Sequence, residues 1–483
     1  MSDVRDTIQK MFDPANRFSS FGEAIVALHI SGIRCHTNTT IELASPITAF
    51  SGLNGTGKST ILQLAACAFA SPNSAGYRIS NFIVRNSLDP TSLARGSSVK
   101  YDFWTNERTT RPLTLSYRRE WSGYTRRTSR HVQFAGIGRY LPRSESPSFI
   151  SRARYLKVHS SVAASARIAD WTRKVLAQGY ESITAHHTNV STRHGDSLTS
   201  VTRDGVAYSE SNMGFGEART LHLIHLLETI PEKSLVLIEE PETSLHLSAQ
   251  QQFANYLMDV CVHRRHQILL TTHSEFILHV LPGASRIFLD RRGSSVNPIP
   301  GLTASQAKSF MAEGKVKSLN IIVEDETAKA VLAFIIRRHE PMIAPTWGIH
   351  VGGDKDRLAG TIRCLQGTGI PIAAVRDGDT GETPKENIFK LPGTLPPEKE
   401  IFQSPVYEKH LADTYGVNLN DFRATLTGAD HHQWFNLLAA KLGIDQKALI
   451  WESARVYVSG LPERETATLV ALLKEASQQK KTT

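Results

Sequence analysis

The chain has 483 residues, 40% of them apolar and 21% charged, and a formal net charge of +9. That length exceeds what one hydrophobic core usually serves, so two or three domains are expected, and the composition excludes a disordered or fibrous chain. No apolar run reaches the ~18 residues of a membrane span, and the polar start Met1-Ser2-Asp3-Val4-Arg5-Asp6 offers no apolar leader, so a cytoplasmic address is expected.

In chain order, the first twenty residues read as a helix or arm. Ala24–Arg34 and Asn38–Glu42 alternate like strands around a turn, and Pro46–Phe50 leads as a strand into a glycine loop. Ser59–Phe69 is apolar at helical spacing. Between Val99 and Gln133 short alternating segments, with Leu113–Tyr117 and Thr128–Phe134 among them, predict antiparallel strands. Ile150–Tyr180 is more helical, with Ile168, Trp171, Val175 and Leu176 on one face, and strands and a long helix resume over Ser200–Thr229. Pro298–Gly301 and the polar stretch to Lys317 read as a domain junction. Beyond it Leu319–Val323, Ala328–Arg338, Trp347–Val351, Arg357–Gln366 and Ile370–Val375 alternate strand, helix, strand, helix, strand. That alternation predicts a small parallel sheet flanked by helices, with its chemistry at the carboxyl ends of the strands.

Cys35, Cys67, Cys261 and Cys364 lie far apart without paired spacing, and are expected as buried thiols of a reducing compartment rather than as a disulfide or zinc site. Charge is uneven. Between Arg95 and Lys157 stand 14 Lys or Arg against four Asp or Glu, so this segment carries the whole positive excess. A concentrated cationic surface suits a polyanion, because each neutralised phosphate releases counterions. A solvated β-rich segment with outward arginines is the alternative.

Gly52-Leu53-Asn54-Gly55-Thr56-Gly57-Lys58-Ser59 satisfies the phosphate-loop (Walker A) pattern between a strand and a helix. The glycines let backbone N–H groups turn onto phosphates, and the helix adds its positive end. Lys58 is expected to reach the β- and γ-phosphates of ATP, Ser59 to ligate Mg2+, and Thr60 to complete the cradle. Ser234–Pro241 is an apolar strand ending in two acids, Glu239 to hold magnesium through water and Glu240 to orient or deprotonate the attacking water. Gln267–Ser274 is another buried strand, ending in His273, which in series with these motifs reads as the γ-phosphate sensor.

Leu237–His246 (LIEEPETSLH) with the later ILLTTHS, Ile268–Ser274, resembles the ABC ATPases of the SMC/RecF/OLD branch, over roughly residues 24 to 300. The resemblance implies an α/β ABC ATPase head over 1–305, with a basic β-rich and helical insertion near 95–205. It also implies ATP bound between two heads, hence a homodimer or higher oligomer, each site completed by the partner's signature loop. The candidate loop is Asn212–Glu217, with Gly214, Gly216 and Glu217 as nucleotide-contacting residues; Gly214 stands where the commoner form carries serine. No glutamine follows the glycine loop at the usual distance for the Q-loop.

In the C-terminal region Leu319–Val323 delivers Glu324 to a strand end, and the third predicted strand ends in Asp377-Gly378-Asp379. Between them His350-Val351-Gly352-Gly353-Asp354 supplies a glycine turn. Acids gathered at one sheet edge repel unless a cation sits among them, and oxygen-only ligands favour Mg2+ or Mn2+. An Asp-Gly turn with two solvated acids is the plainer alternative. The arrangement resembles the Toprim fold over about 318–390, and an ABC head followed by Toprim resembles the OLD family of ATP-dependent endonucleases. That resemblance implies a linker at 306–317, a Toprim nuclease-like domain with a helical extension over 318–483, and Glu324, Asp377 and Asp379 as catalytic metal ligands. The chain departs from the family at Ala328, where a second acid is usual; Asp325 or Glu326 are possible substitutes. Glu398 and Glu400 read either as further ligands or as solvated loop acids. Lys441 and Lys447 are candidates for a lysine near the scissile phosphate. Asp430-His431-His432 reads as a capping aspartate before surface histidines, with a metal cluster as the alternative.

The resulting expectation is an ATPase-regulated, metal-dependent DNA endonuclease of bacterial defence against phage or plasmids, with no membrane partner. DNA is expected to cross the basic segment at Arg118, Arg119, Arg126 and Arg127. A non-cleaving clamp or sensor, an RNA (tRNA) nuclease, and an effector awaiting a protein or nucleic-acid trigger fit the same motifs.

Overall fold

Five successive residues of Ile47–Ser51 and all of Gln267–Thr271 are buried, as are Leu235 to Ile238 of the strand Leu235–Glu239. Unbroken apolar runs of this kind belong in a parallel sheet covered on both faces. The computed structural model, which describes residues 3–72, 76–137, 147–189, 198–353, 355–365, 368 and 370–478, places them so. The chain divides into two units, Met1–Ala307 and Lys308–Thr483.

The N-terminal unit is built on a six-stranded sheet in the order Ser295–Pro300, Arg286–Arg292, Ile47–Ser51, Gln267–Thr271, Leu235–Glu239, Val132–Ala135. All pairs are parallel except the edge strand Ser295–Pro300. Lys58–Ala66 packs against Leu235–Glu239 and Gln267–Thr271. A five-stranded antiparallel sheet joins the hairpin Ala24–Ile33/His36–Glu42 to Leu93–Trp104, Thr110–Tyr117 and Trp121–Ser122. A four-stranded antiparallel sheet contains Val158–Ala163, Tyr180–Thr188, Leu198–Arg203 and Val206–Ser209.

Several expectations change here. The stretch read as an insertion is divided: Leu93–Trp104 pairs directly with Ala24–Ile33, and the residues expected as another antiparallel strand, Thr128–Phe134, contribute Val132–Ala135 to the parallel sheet instead. Val132 and Phe134 are buried there in the same core as Leu235 and Leu237. The helical stretch Ile150–Tyr180 holds the exposed edge strand Val158–Ala163 between Pro147–Ala153 and Ala166–Leu176; being exposed throughout, it lacks the alternation that marks a half-buried strand. Pro298–Pro300 is not a junction but part of an edge strand, where a missing N–H is tolerated. The polar stretch expected as a linker begins inside the helix Ala304–Met311. Of the cysteines only Cys67 and Cys261 are buried; Cys35 is half-buried and Cys364 exposed on its helix.

The basic segment is also reassigned in part. Arg127 donates to the carbonyls of Cys67, Phe69 and Tyr77, and Arg130 to those of Phe21, Glu23 and Lys233. Arg111 pairs with Glu23. These cations hold the strand of Val132 against its neighbours, so Arg127 is structural rather than a nucleic-acid contact. Arg118, Arg119 and Arg126 are exposed, with Arg126 bonded to the Thr114 carbonyl. Residues 138–146 of this segment lie outside the described residues. Among the described residues no helix is long and apolar enough to cross a membrane.

The C-terminal unit has an all-parallel sheet in the order Trp347–Val351, Leu319–Val323, Ile372–Arg376, Ile388–Lys390. Glu326–His339 packs on Gln446–Gly460 and Glu463–Gln478. Val323 stands level with both Val351 and Val375, so Glu324, Gly352 and Asp377 leave the sheet at the same edge.

Candidate functional site

Gly57 begins the helix Lys58–Ala66 at φ +87°, and a Cβ there would lie 2.2 Å from His36 Nε2, so only glycine fits. Gly52, at φ +145°, passes so close to Leu289 that a Cβ would sit 2.6 Å from its carbonyl oxygen. Thr56 is buried and donates to the Leu53 carbonyl. Lys58 Nζ donates to the Gly52 and Leu53 carbonyls at 2.9 and 3.0 Å. Burial lowers its pKa, against the opposing pull of Glu240 and Glu242. A cavity of about 890 Å3 opens here, lined by Asn54, Gly55, Gly57, Lys58, Ser59, Thr60, Glu240 and His273.

Glu240 has a left-handed backbone, φ +43°, with its N–H on Thr271; the sharp turn after the strand sends this acid into the cavity. His273 Nε2 lies 3.5 Å from Glu240 Oε1. Burial and then Lys58 lower the His273 pKa, against the pull of Glu242. Glu239 does not line the cavity; a Cβ on Gly136 would stand 3.0 Å from its Oε2, where the chain leaves Val132–Ala135. Three further residues belong to the site. Glu242 Oε1 accepts from Thr272 Oγ1, His273 N and Ser274 N, joining the two acid- and histidine-bearing loops. Arg34 and Arg291 also line the cavity, bonded to Thr60 Oγ1 and the Gly55 carbonyl. Glu242 stood inside the LIEEPETSLH run, whereas nothing near Arg34 or Arg291 signals a site.

Gly214, Gly216 and Glu217 lie in the same unit but do not line that cavity. Gly214 caps the helix Phe215–Thr229, and a Cβ on Gly216 would collide with the Ser244 carbonyl at 2.2 Å. Glu217 accepts the hydroxyls of Tyr180 and Tyr208 at 2.7 and 2.8 Å, which positions this loop from two strands.

In the C-terminal unit Asp377 is 6% exposed and its N–H donates to Glu324 Oε1 at 3.2 Å. No donor reaches Asp377 Oδ1. Burial, then Glu324, Asp325, Glu398 and Asp379, push its carboxyl up to about 8. Burial also raises Glu324. Asp379 is exposed beside them. The turn is not the solvated one of the plainer reading, since a Cβ on Gly378 would lie 2.9 Å from Gly393 backbone atoms. Asp354 lies outside the described residues.

Ala328 is fully buried, and its N–H is capped by Asp325 Oδ1 at 2.8 Å. Glu398 is no loop acid: it lies on the helix Pro397–Gln403, 3% exposed, with burial and Asp325 raising its pKa. Glu400 instead caps the turn at Thr394 and Leu395. Asp430 does cap the short turn His431–Gln433, yet both histidines lie beside Glu398, which the plain capping reading did not anticipate. Lys441 lies over the Phe422 ring, and Lys447 is 3.9 Å from Glu326.

The chain's similarities agree with the head. Residues 27–152 match the family described as AAA domain, and residues 157–278 the family described as AAA ATPase domain. Both matches fall in the N-terminal unit and support an ATPase activity there. Similar solved structures include the SMC head domain from Thermotoga maritima, at 16% identity over 57% of this chain and 98% of that one, TM-score 0.36. Another is the Smc head domain with an extended coiled coil bound to the C-terminal domain of ScpA from Pyrococcus furiosus, at 13% identity over 60% and 99%, TM-score 0.40. A third is an SmcHead bound to the C-winged helix domain of ScpA, at 15% identity over 59% and 99%, TM-score 0.41. No curated protein matches the chain.

The donors present suit a triphosphate in one unit and a metal ion in the other. Lys58, the loop N–H groups and the helix start face the cavity with Ser59 and Glu240, an arrangement for a triphosphate and its magnesium. The orphaned Asp377 Oδ1 among oxygen-only donors fits a hard divalent cation.

Proposed function

We propose that this chain is an ATP-regulated, metal-dependent DNA endonuclease of the OLD type, acting in bacterial defence, with an SMC/RecF-like head and a Toprim-like C-terminal unit. The observation that carries the nuclease reading is Asp377, buried without a donor on Oδ1 at a strand end shared with Glu324. A divalent cation bound by Glu324, Asp377 and Asp379 would activate water and stabilise the leaving oxygen of a phosphodiester.

In the head, Lys58 and the loop N–H groups hold the triphosphate, and Ser59 supports magnesium. Glu239, which does not line the cavity, would reach that ion only through water. Glu240 orients or deprotonates the attacking water, and His273 senses the γ-phosphate. Gly214, Gly216 and Glu217, away from their own cavity, are available to complete the site of a second copy, so the working form is a homodimer or larger. The exposed Arg118 and Arg119 offer phosphate contacts for nucleic acid.

The test is cleavage of supercoiled plasmid, linear DNA and total tRNA with Mg2+ or Mn2+, with and without ATP, beside Asp377→Ala and Lys58→Ala. DNA cutting that disappears in Asp377→Ala and changes with ATP supports the reading. Cutting confined to tRNA replaces the substrate, and intact ATP turnover with no cutting rejects the nuclease.

A further inference from the structure

Glu398, His431 and His432 come from two separate elements, a helix and a capped turn, yet their ligand atoms lie within 4.8 Å of one another. Glu398 is the anchor. Its side chain is buried, and no donor reaches Oε2. Thr327 and Asp325 also act on this carboxyl, and a buried oxygen that no donor reaches is unfavourable, so Oε2 calls for a cation or a proton.

The histidines are arranged to supply the rest of a coordination shell. Their rings stack at 4.0 Å between centroids, tilted by 36°. His431 Nδ1 lies 3.3 Å from Asp430 Oδ1. A carboxylate close to one ring nitrogen favours the N–H on that side, the kind of support that metal-bound histidines use. His432 Nδ1 is 3.9 Å from Asp325 Oδ2, which brings a second carboxylate to the edge of the group.

We infer that Glu398, His431 and His432 form a transition-metal site, with Zn2+ preferred over Mg2+, beside the all-oxygen cluster of Glu324, Asp377 and Asp379. Two imidazoles and one carboxylate suit a borderline ion and leave positions open for water or substrate, whereas Mg2+ prefers oxygen alone. Asp325 acts electrostatically on both Asp377 and Glu398, so the two groups are neighbours. The inference concerns metal binding and stands whether or not the chain cuts nucleic acid.

The experiment uses the full chain, stripped with a chelator and titrated with Co2+ as a coloured stand-in for Zn2+, in excess Mg2+. One equivalent of Co2+ is expected to give visible absorption bands that Zn2+ abolishes and Mg2+ does not. Competition with a chromophoric chelator should show Zn2+ binding weakened at least about tenfold in E398Q and in H431Q/H432Q, and about tenfold in D430N. D377N should keep the Co2+ bands while losing Mn2+ at the acid cluster. Bands unchanged in both E398Q and H431Q/H432Q, or removed by Mg2+, overturn the inference. Matching thermal unfolding of the metal-free variants shows that each is folded; if the double variant is not, E398Q decides. Bands present in a chain whose D377N variant loses no Mn2+ keep the histidine site and reject the nuclease reading instead.

Discussion

Both units gather carboxylates at the carboxyl ends of a parallel sheet, and they treat that charge in opposite ways. In the head, Glu240 and Glu242 both act on Lys58, and Glu242, whose carboxyl burial and Glu240 push up to about 7 and whose Oε2 no donor reaches, accepts two backbone N–H groups and a hydroxyl on Oε1. In the C-terminal unit the four charged groups acting most strongly on Asp377 are all acids. On the proposed reading, a cluster partly offset by its own lysine and loop dipoles would leave a cavity for an anion that brings its metal along, and a cluster without such a cation would be a seat for a metal ion that the chain itself recruits.

The sharpest way to separate the two is to remove Lys58. Lys58→Ala is expected to slow ATP turnover at least about 100-fold, measured as phosphate release, while Mn2+ binding at the C-terminal acids is unchanged. Glu240→Gln should cause a loss of about 100-fold or more with ATP binding retained, as for removal of a general base. Loss of ATP binding in that variant would mean Glu240 belongs to the balance of charge rather than to the chemistry.

Smaller effects test the arginines. Arg130→Met leaves the Phe21, Glu23 and Lys233 carbonyls without their charged donor and should destabilise the head by roughly 3 kcal/mol, read from urea unfolding. Arg118→Ala with Arg119→Ala should change stability by less than about 0.5 kcal/mol. If both contact phosphates, the salt slope of DNA binding falls by about two in the double variant. An unchanged slope removes that strand from the nucleic-acid path.

A further expected effect is in pH. In the folded, metal-free chain Asp377 keeps its proton up to about 8, against 3.8 for an ordinary aspartate. The folded state therefore binds the extra proton between those values, and stability falls as pH rises through the window. Urea unfolding of the chelated chain should show that decline, and Asp377→Asn should flatten it. A decline that persists in Asp377→Asn assigns it to other groups.

Much of this was legible in local pattern. The glycine loop, the strands ending in Glu240 and His273, and the C-terminal strand–helix alternation announce themselves because buried parallel strands are continuous apolar runs and phosphate loops need glycine at fixed spacing. The strands Leu319–Val323 and Trp347–Val351 have the bounds their alternation predicts. Val158–Ala163 was not legible, because an exposed edge strand has no buried face to mark it. Nor was the membership of Val132–Ala135, since a four-residue strand reads the same in a parallel or an antiparallel sheet.

The amino-acid sequence by itself determined that one unit carries a phosphate loop and that the other carries acids at strand ends. Both follow from short-range spacing along single elements. Only the tertiary structure decided that Arg127 and Arg130 hold carbonyls rather than phosphates, that Asp377 is buried without a donor on Oδ1, and that Glu398 meets His431 and His432. These depend on which distant segments pack together and on how much water is left between them, and neither is written in the spacing of neighbouring residues.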